Sequence, residues 1–237
     1  MAQATADPSL ISEDDKAIIA RARPYTMTSD ARLQALIDAV RYCQERGVPG
    51  SFLECGVWRG GSVLTMILVL QELGVDDRDI YLYDTFEGMT EPTEHDTSQV
   101  DRPALEDWTE AHSKDERPWS ELFGSDVFNE EAVRELLSGS GYPQERIHIT
   151  RGPVEETIPG VAPDQIALLR LDTDWYESTR HELHHLWPRL SDSGVLIIDD
   201  YGHWEGARRA VDEFFGTSAE PVLLNRIDYT GRIAIKH

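Results

Sequence analysis

The chain has 237 residues, 40% of them hydrophobic and 28% charged, an ordinary globular composition with room for one large domain and a sizeable core. Its 22 lysines and arginines face 44 aspartates and glutamates, a net charge of −22, which excludes a general phosphate-backbone binder and makes nucleic acid and anionic membrane poor partners. No segment approaches the ~20 apolar residues that cross a bilayer, Met1 to Arg23 lacks a cationic start followed by an apolar stretch, and two cysteines, Cys43 and Cys55, are too few for a disulfide scaffold; the expectation is a cytoplasmic protein.

Leu33, Leu36, Ile37 and Val40 fall at helical spacing before the Gly47 to Gly50 break, so residues 1–50 read as a helical cap leading into a strand at Ser51 to Cys55. Ser62 to Leu73 is apolar almost all round, the pattern of a helix buried against a sheet. Short apolar runs recur at Ile80 to Tyr83, Ile147 to Thr150, Ile166 to Leu171 and Val195 to Ile198, with helical patterns at Asn129 to Leu137, Ser178 to Leu186 and Gly206 to Phe215. Parallel strands joined by helical crossovers make a doubly wound α/β sheet. Two last runs, Val222 to Ile227 and Arg232 to Lys236, flank a tight turn at Asp228 to Gly231 and predict a closing antiparallel hairpin.

One stretch fits no simple element. Residues 91–121 are polar, carry Pro92, Pro103 and Pro118, and hold ten acids against three bases. An irregular insertion after a strand's carboxyl end is a lid or substrate loop when functional and a disordered excursion otherwise.

Three segments carry chemistry. Phe52 to Ser62 runs from a strand through Gly56, Gly60 and Gly61 into a helix, where glycines let a ligand approach the backbone. The spacing is neither GxGxxG nor GxxxxGK[ST]. Asp84 ends the next strand, where an acid can accept from both hydroxyls of a ribose or simply cap a loop. Together they suggest a nucleoside-containing ligand without a pyrophosphate. Asp172 and Asp174 end one apolar strand and Asp199 and Asp200 the following one. If those strands are neighbours, four carboxylates crowd one rim, so some are protonated or a hard cation such as Mg²⁺ holds them. His181, His184 and His185 read as packing or surface residues on a helix.

These motifs resemble the macrocin O-methyltransferase (TylF-like) group of S-adenosylmethionine-dependent class I methyltransferases, from roughly Arg21 to Phe215. The similarity rests on Pro24 to Thr28, Glu54 to Ser62, Tyr83 to Met89 (YDTFEGM), Asp172 to Ser178 (DTDWYES) and Ile198 to Val211 (IDDYGHWEGARRAV). The resemblance implies a single Rossmann-like domain over 1–237, with a seven-stranded, mostly parallel sheet whose last strand is antiparallel. It implies cofactor contacts at Glu54, Gly56, Gly60, Gly61, Ser62, Asp84, Gly152, Val154 and Asp172, with Thr26 and Met27 folding over the cofactor. It further implies Mg²⁺ on Asp172, Asp199 and Asp200, Asp174 as general base, a small-molecule glycoside as acceptor, and a dimer or tetramer. Two alternatives stay open: methylation of a catechol or other phenol, and a non-catalytic nucleoside-binding module. Where sugar-modifying members have DGDLYES, this chain has Thr173 and Trp175.

Overall fold

A computed structural model describes residues 11–125, 128–216 and 221–237. Seven strands form one sheet: β1 (Ser51–Cys55), β2 (Ile80–Asp84), β3 (Ile147–Arg151), β4 (Ile166–Leu171), β5 (Leu190–Ile198), β6 (Asn225–Arg226) and β7 (Arg232–Ile235), in the order β3-β2-β1-β4-β5-β7-β6. β1 to β5 run parallel, and β7 is antiparallel to both β5 and β6. Strand alternation sends Phe52, Leu168 and Ile197 to one face, where they join Leu36 and Met66, and sends Leu53, Leu169 and Leu196 to the other, with Leu183 and Val211. This is the doubly wound α/β sheet with an antiparallel last strand that the residue pattern predicts.

Helices cover both faces: α1 (Glu13–Ala22), α2 (Asp30–Glu45), α3 (Gly61–Glu72), α4 (Ala104–Ser113), α5 (Ser120–Phe123), α6 (Glu130–Ser138), α7 (Val154–Thr157), α8 (Tyr176–Leu186) and α9 (Glu205–Gly216). α3 buries every residue from Gly61 to Leu70, which explains why it shows no polar face in the sequence. No helix among the described residues is long and apolar enough to cross a membrane. Residues 1–10 of the expected N-terminal cap lie outside the described residues.

The structure corrects two expectations. The run from Val222 forms a strand only at Asn225–Arg226, because only those residues pair with β7. The 91–121 stretch is not irregular throughout, since α4 occupies its centre. That helix buries only Ala104 and is held by ion pairs, Arg102 to Asp107 at 2.8 Å and Lys114 to Glu110 at 2.7 Å, so it lacks the apolar stripe by which helices are read. Its root is fixed by buried Asp96, which accepts from Thr93 N at 2.6 Å and from Tyr176 N at 2.7 Å, the first amide of α8.

Candidate active site

The carboxyl ends of β1, β2, β4 and β5 open into one cleft of about 360 Å³, the place where parallel α/β sheets bind ligands. Thr26, Met27, Gly56, Ser62, Asp84, Gly152, Val154, Asp172, Asp174, Asp199 and Asp200 all line it. Register explains the convergence. Leu171 of β4 lies opposite Cys55 of β1 and Ile198 of β5, so the residues that follow emerge side by side.

On the β1–β2 side the cleft is shaped by backbone. Gly56 has φ +81°, and a Cβ there would run into the Asp172 carbonyl where β1 and β4 come closest. Asp84 Oδ2 accepts from the N–H groups of Val57 at 2.7 Å and Trp58 at 2.9 Å, and Oδ1 from Phe86 N at 2.9 Å. Its carboxylate therefore holds the glycine turn, the loop-facing role, while still lining the cleft. Gly60 and Gly61 do not line it. A Cβ on Gly61 would meet the Tyr25 carbonyl carbon at 2.7 Å, so the glycine lets the Tyr25 to Thr28 segment lie across the start of α3.

On the β4–β5 side the cleft is shaped by charge. Asp172, Asp199 and Asp200 each present one oxygen within 4.8 Å of the others. Arg170, fully buried in β4, donates to Glu54 at 2.5 Å, Asp172 at 2.6 Å, Asp199 at 2.5 Å and Thr28 Oγ1 at 3.0 Å. Arg32 of α2 pairs with the other oxygen of Asp199 and with Asp228 at 3.1 Å. Glu54, expected at the cofactor, is instead inside this network; burial pushes its carboxyl up to about 8 against the pull of Arg170. It stands opposite Arg170 in the β1–β4 ladder and does not reach the cleft.

Asp174 has φ +65°, outside the range most side chains favour. Desolvation first, then the neighbouring Asp172 charge, pushes its carboxyl up to about 7. Desolvation and Asp174 raise Asp200 well above the ordinary carboxylate range, and the two share a hydrogen bond. The pair thus keeps a proton where isolated carboxyls have lost theirs. Five acids (Glu54, Asp172, Asp174, Asp199, Asp200) meet two arginines here, and an all-oxygen set with surplus negative charge fits a hard divalent cation.

Arg32, Arg170 and Asp96 escaped sequence reasoning. Arg170 left a signal: a cation inside the run IALLRL must find buried anionic partners. Arg32 and Asp96 left none, because their partners lie far away in the chain. His181 binds the Ile158 carbonyl at 2.8 Å and packs on His185, away from the cleft.

A family model described as macrocin-O-methyltransferase (TylF) matches residues 12–234. The chain is 35% identical over 95% of its length to 79% of the 8-demethyl-8-(2,3-dimethoxy-alpha-L-rhamnosyl)-tetracenomycin-C 4'-O-methyltransferase of Streptomyces olivaceus. Over 85% of its length it is 32% identical to 76% of the mycinamicin III 3''-O-methyltransferase of Micromonospora griseorubida. Among solved structures, the O-methyltransferase NovP superposes with a TM-score of 0.75 at 28% identity, covering 90% of this chain and 82% of that one.

Proposed function

The chain belongs to the macrocin O-methyltransferase (TylF) family and is an S-adenosylmethionine-dependent O-methyltransferase, and from that premise we propose that it methylates a sugar hydroxyl of a natural-product glycoside in a Mg²⁺-dependent reaction. The observation that carries this reading is the joining of a glycine-shaped niche and a surplus of carboxylates in one cleft. The tetracenomycin relative is named for a rhamnosylated acceptor, and the mycinamicin relative for O-methylation of mycinamicin III. Membership of an enzyme family removes the non-catalytic alternative.

Gly56, Ser62, Gly152 and Val154 would hold the donor beneath Thr26 and Met27, with Asp84 toward its ribose, leaving Asp174 to face the acceptor. S-adenosylmethionine supplies an electrophilic methyl group on a sulfonium. Asp172, Asp199 and Asp200 would hold a divalent cation, which would supply Lewis acidity to the reacting hydroxyl. Asp174 accepts the hydroxyl proton as the oxygen–carbon bond forms and the carbon–sulfur bond breaks. A methyl ether and S-adenosylhomocysteine leave, and Asp174 returns its proton to water. Arg170 aims the carboxylates of Asp172 and Asp199, and Arg32 holds the second oxygen of Asp199.

The test is turnover of labelled S-adenosylmethionine against a panel of deoxysugar glycosides and catechols, with Mg²⁺ or with EDTA. Glycoside methylation abolished by EDTA is expected. Turnover of catechols alone overturns the acceptor, and full activity in EDTA overturns the metal.

A further inference from the structure

Trp204 lines the cleft beside the carboxylates. Its indole Nε1 donates to Asp174 Oδ1 at 3.1 Å, and its backbone N–H donates to the Asp200 carbonyl at 3.1 Å. The ring is walled on two sides: Trp175 meets it edge to face with centroids 5.0 Å apart, and His203 does so at 4.9 Å. Both walls are themselves fixed. Trp175 is buried and donates from Nε1 to the Thr90 carbonyl at 3.0 Å, while His203 is held by Asp101 at 2.8 Å and the Tyr229 hydroxyl at 3.1 Å.

We propose that Trp204 is the positioning residue for Asp174, holding that carboxylate toward the acceptor through its indole N–H. The inference rests on Asp174 being the proton acceptor. Asp174 needs such a partner for two reasons. Its backbone takes the sparsely populated left-handed region, which persists only where the surroundings hold it, and the neighbouring Asp172 charge opposes its own. An indole N–H suits the task because it donates only and has no proton to surrender at working pH. It therefore stays bonded to one oxygen whether or not the other carries a proton, and it adds no charge to compete with a cation. The aromatic walls fix its direction, so the bond is prepaid before the acceptor arrives.

The experiment compares Trp204→Phe, and replacement of Trp204 by its N–H-free isostere β-(3-benzothienyl)alanine, with the native enzyme and with Asp174→Asn. The isostere keeps the ring stack where the phenylalanine variant fails to fold. We expect kcat to fall about 10- to 100-fold, the range for losing a hydrogen bond to a charged group, with KM for acceptor and cofactor changed less than about twofold, since a positioning bond acts on the reacting geometry and not on ligand binding. In the Asp174→Asn background the same replacement should cost no further kcat, because the group it positions is gone. Unchanged kcat for the isostere, or an equal loss in both backgrounds, overturns the role of Trp204. Full activity of Asp174→Asn by itself overturns the proton-acceptor reading instead.

Discussion

Two sides of the same cleft hold their loops by different means. Beside β1 and β2, Asp84 accepts from three backbone amides and Gly56 lets two strands close together, so the turn is satisfied by main-chain groups. On the β4–β5 side, Glu54, Asp172 and Asp199 share Arg170 and Arg32, while Asp174 and Asp200 share a hydrogen bond with each other. The backbone-built side is balanced and fits a neutral nucleoside end. The charge-built side carries more anion than it compensates, and that imbalance is what a cation and a proton transfer can use.

The largest effect should come from the unbalanced side. Asp174→Asn keeps the size and the indole contact but removes the proton acceptor, and kcat should fall by ~10²–10⁴, with binding of S-adenosylmethionine by calorimetry unchanged. Loss of cofactor binding together with turnover would mean that Asp174 supports the backbone-built side as well, and the two sides would no longer be separable.

Next in size is Arg170→Met. Removing one partner of a buried ion pair typically costs about 3–5 kcal/mol, and here three buried or half-buried acids lose their donor at once. Chemical denaturation should show a loss of that order. A loss below about 1 kcal/mol would show that this side is as self-sufficient as the other.

How far each side could be read in the sequence follows from how it is built. The glycine turn and Asp84 are local in the chain, so spacing alone located them. The carboxylates were also visible, because DTD and DD each follow an apolar strand. Their compensation was not: Arg32 reaches Asp199 from 167 positions away, and Arg170 sits inside an apolar run while its anionic partner Glu54 comes from 116 positions away. Glu54 was misplaced because its motif position says nothing about which face of β1 it takes. The alternation that puts Phe52 in the core also sends Glu54 to Arg170. The register of β4 against β5, which makes neighbours of Asp172 and Asp199, follows from the apolar runs and was within reach.

The titration of the acids sharpens the contrast further. A carboxyl whose folded pKa is about 7 against an unfolded 3.8 keeps a proton in the native state that the unfolded chain has already lost. Between about pH 4 and pH 7 stability should therefore fall as pH rises, by at most about 1.4 kcal/mol per pH unit for each such group, and Glu54, pushed up to about 8, carries the fall a little further. Asp200, raised in the same direction, adds to the fall. Below pH 4 the trend reverses, because Asp15 and Asp228, held below the usual range by their donors, take up protons in turn. Thermal unfolding with EDTA at pH 5 and pH 8 should show the lower Tm at pH 8, and Mg²⁺ should raise Tm there more than at pH 5, where protons compete for the same oxygens. Equal gains at both pH values would separate the cation from these carboxylates.

The smallest effect should come from the aromatic contacts of the insertion, which also reaches the charged side through Asp101 on His203 at 2.8 Å. Trp119 packs on Trp175 with centroids 5.8 Å apart, and Trp175 in turn packs on Trp204. A pair of this kind is worth about 0.5–1.5 kcal/mol, so Trp119→Ala should raise KM for the acceptor about two- to tenfold and lower kcat less. On the proposed placement the donor lies on the other side of the cleft, so its affinity should stay as it is. If the variant weakens donor binding equally, α4 and α5 brace the whole cleft. If it weakens the acceptor alone, the insertion belongs to the charged side, and Trp175, standing where sugar-modifying relatives place leucine, is the residue that couples them.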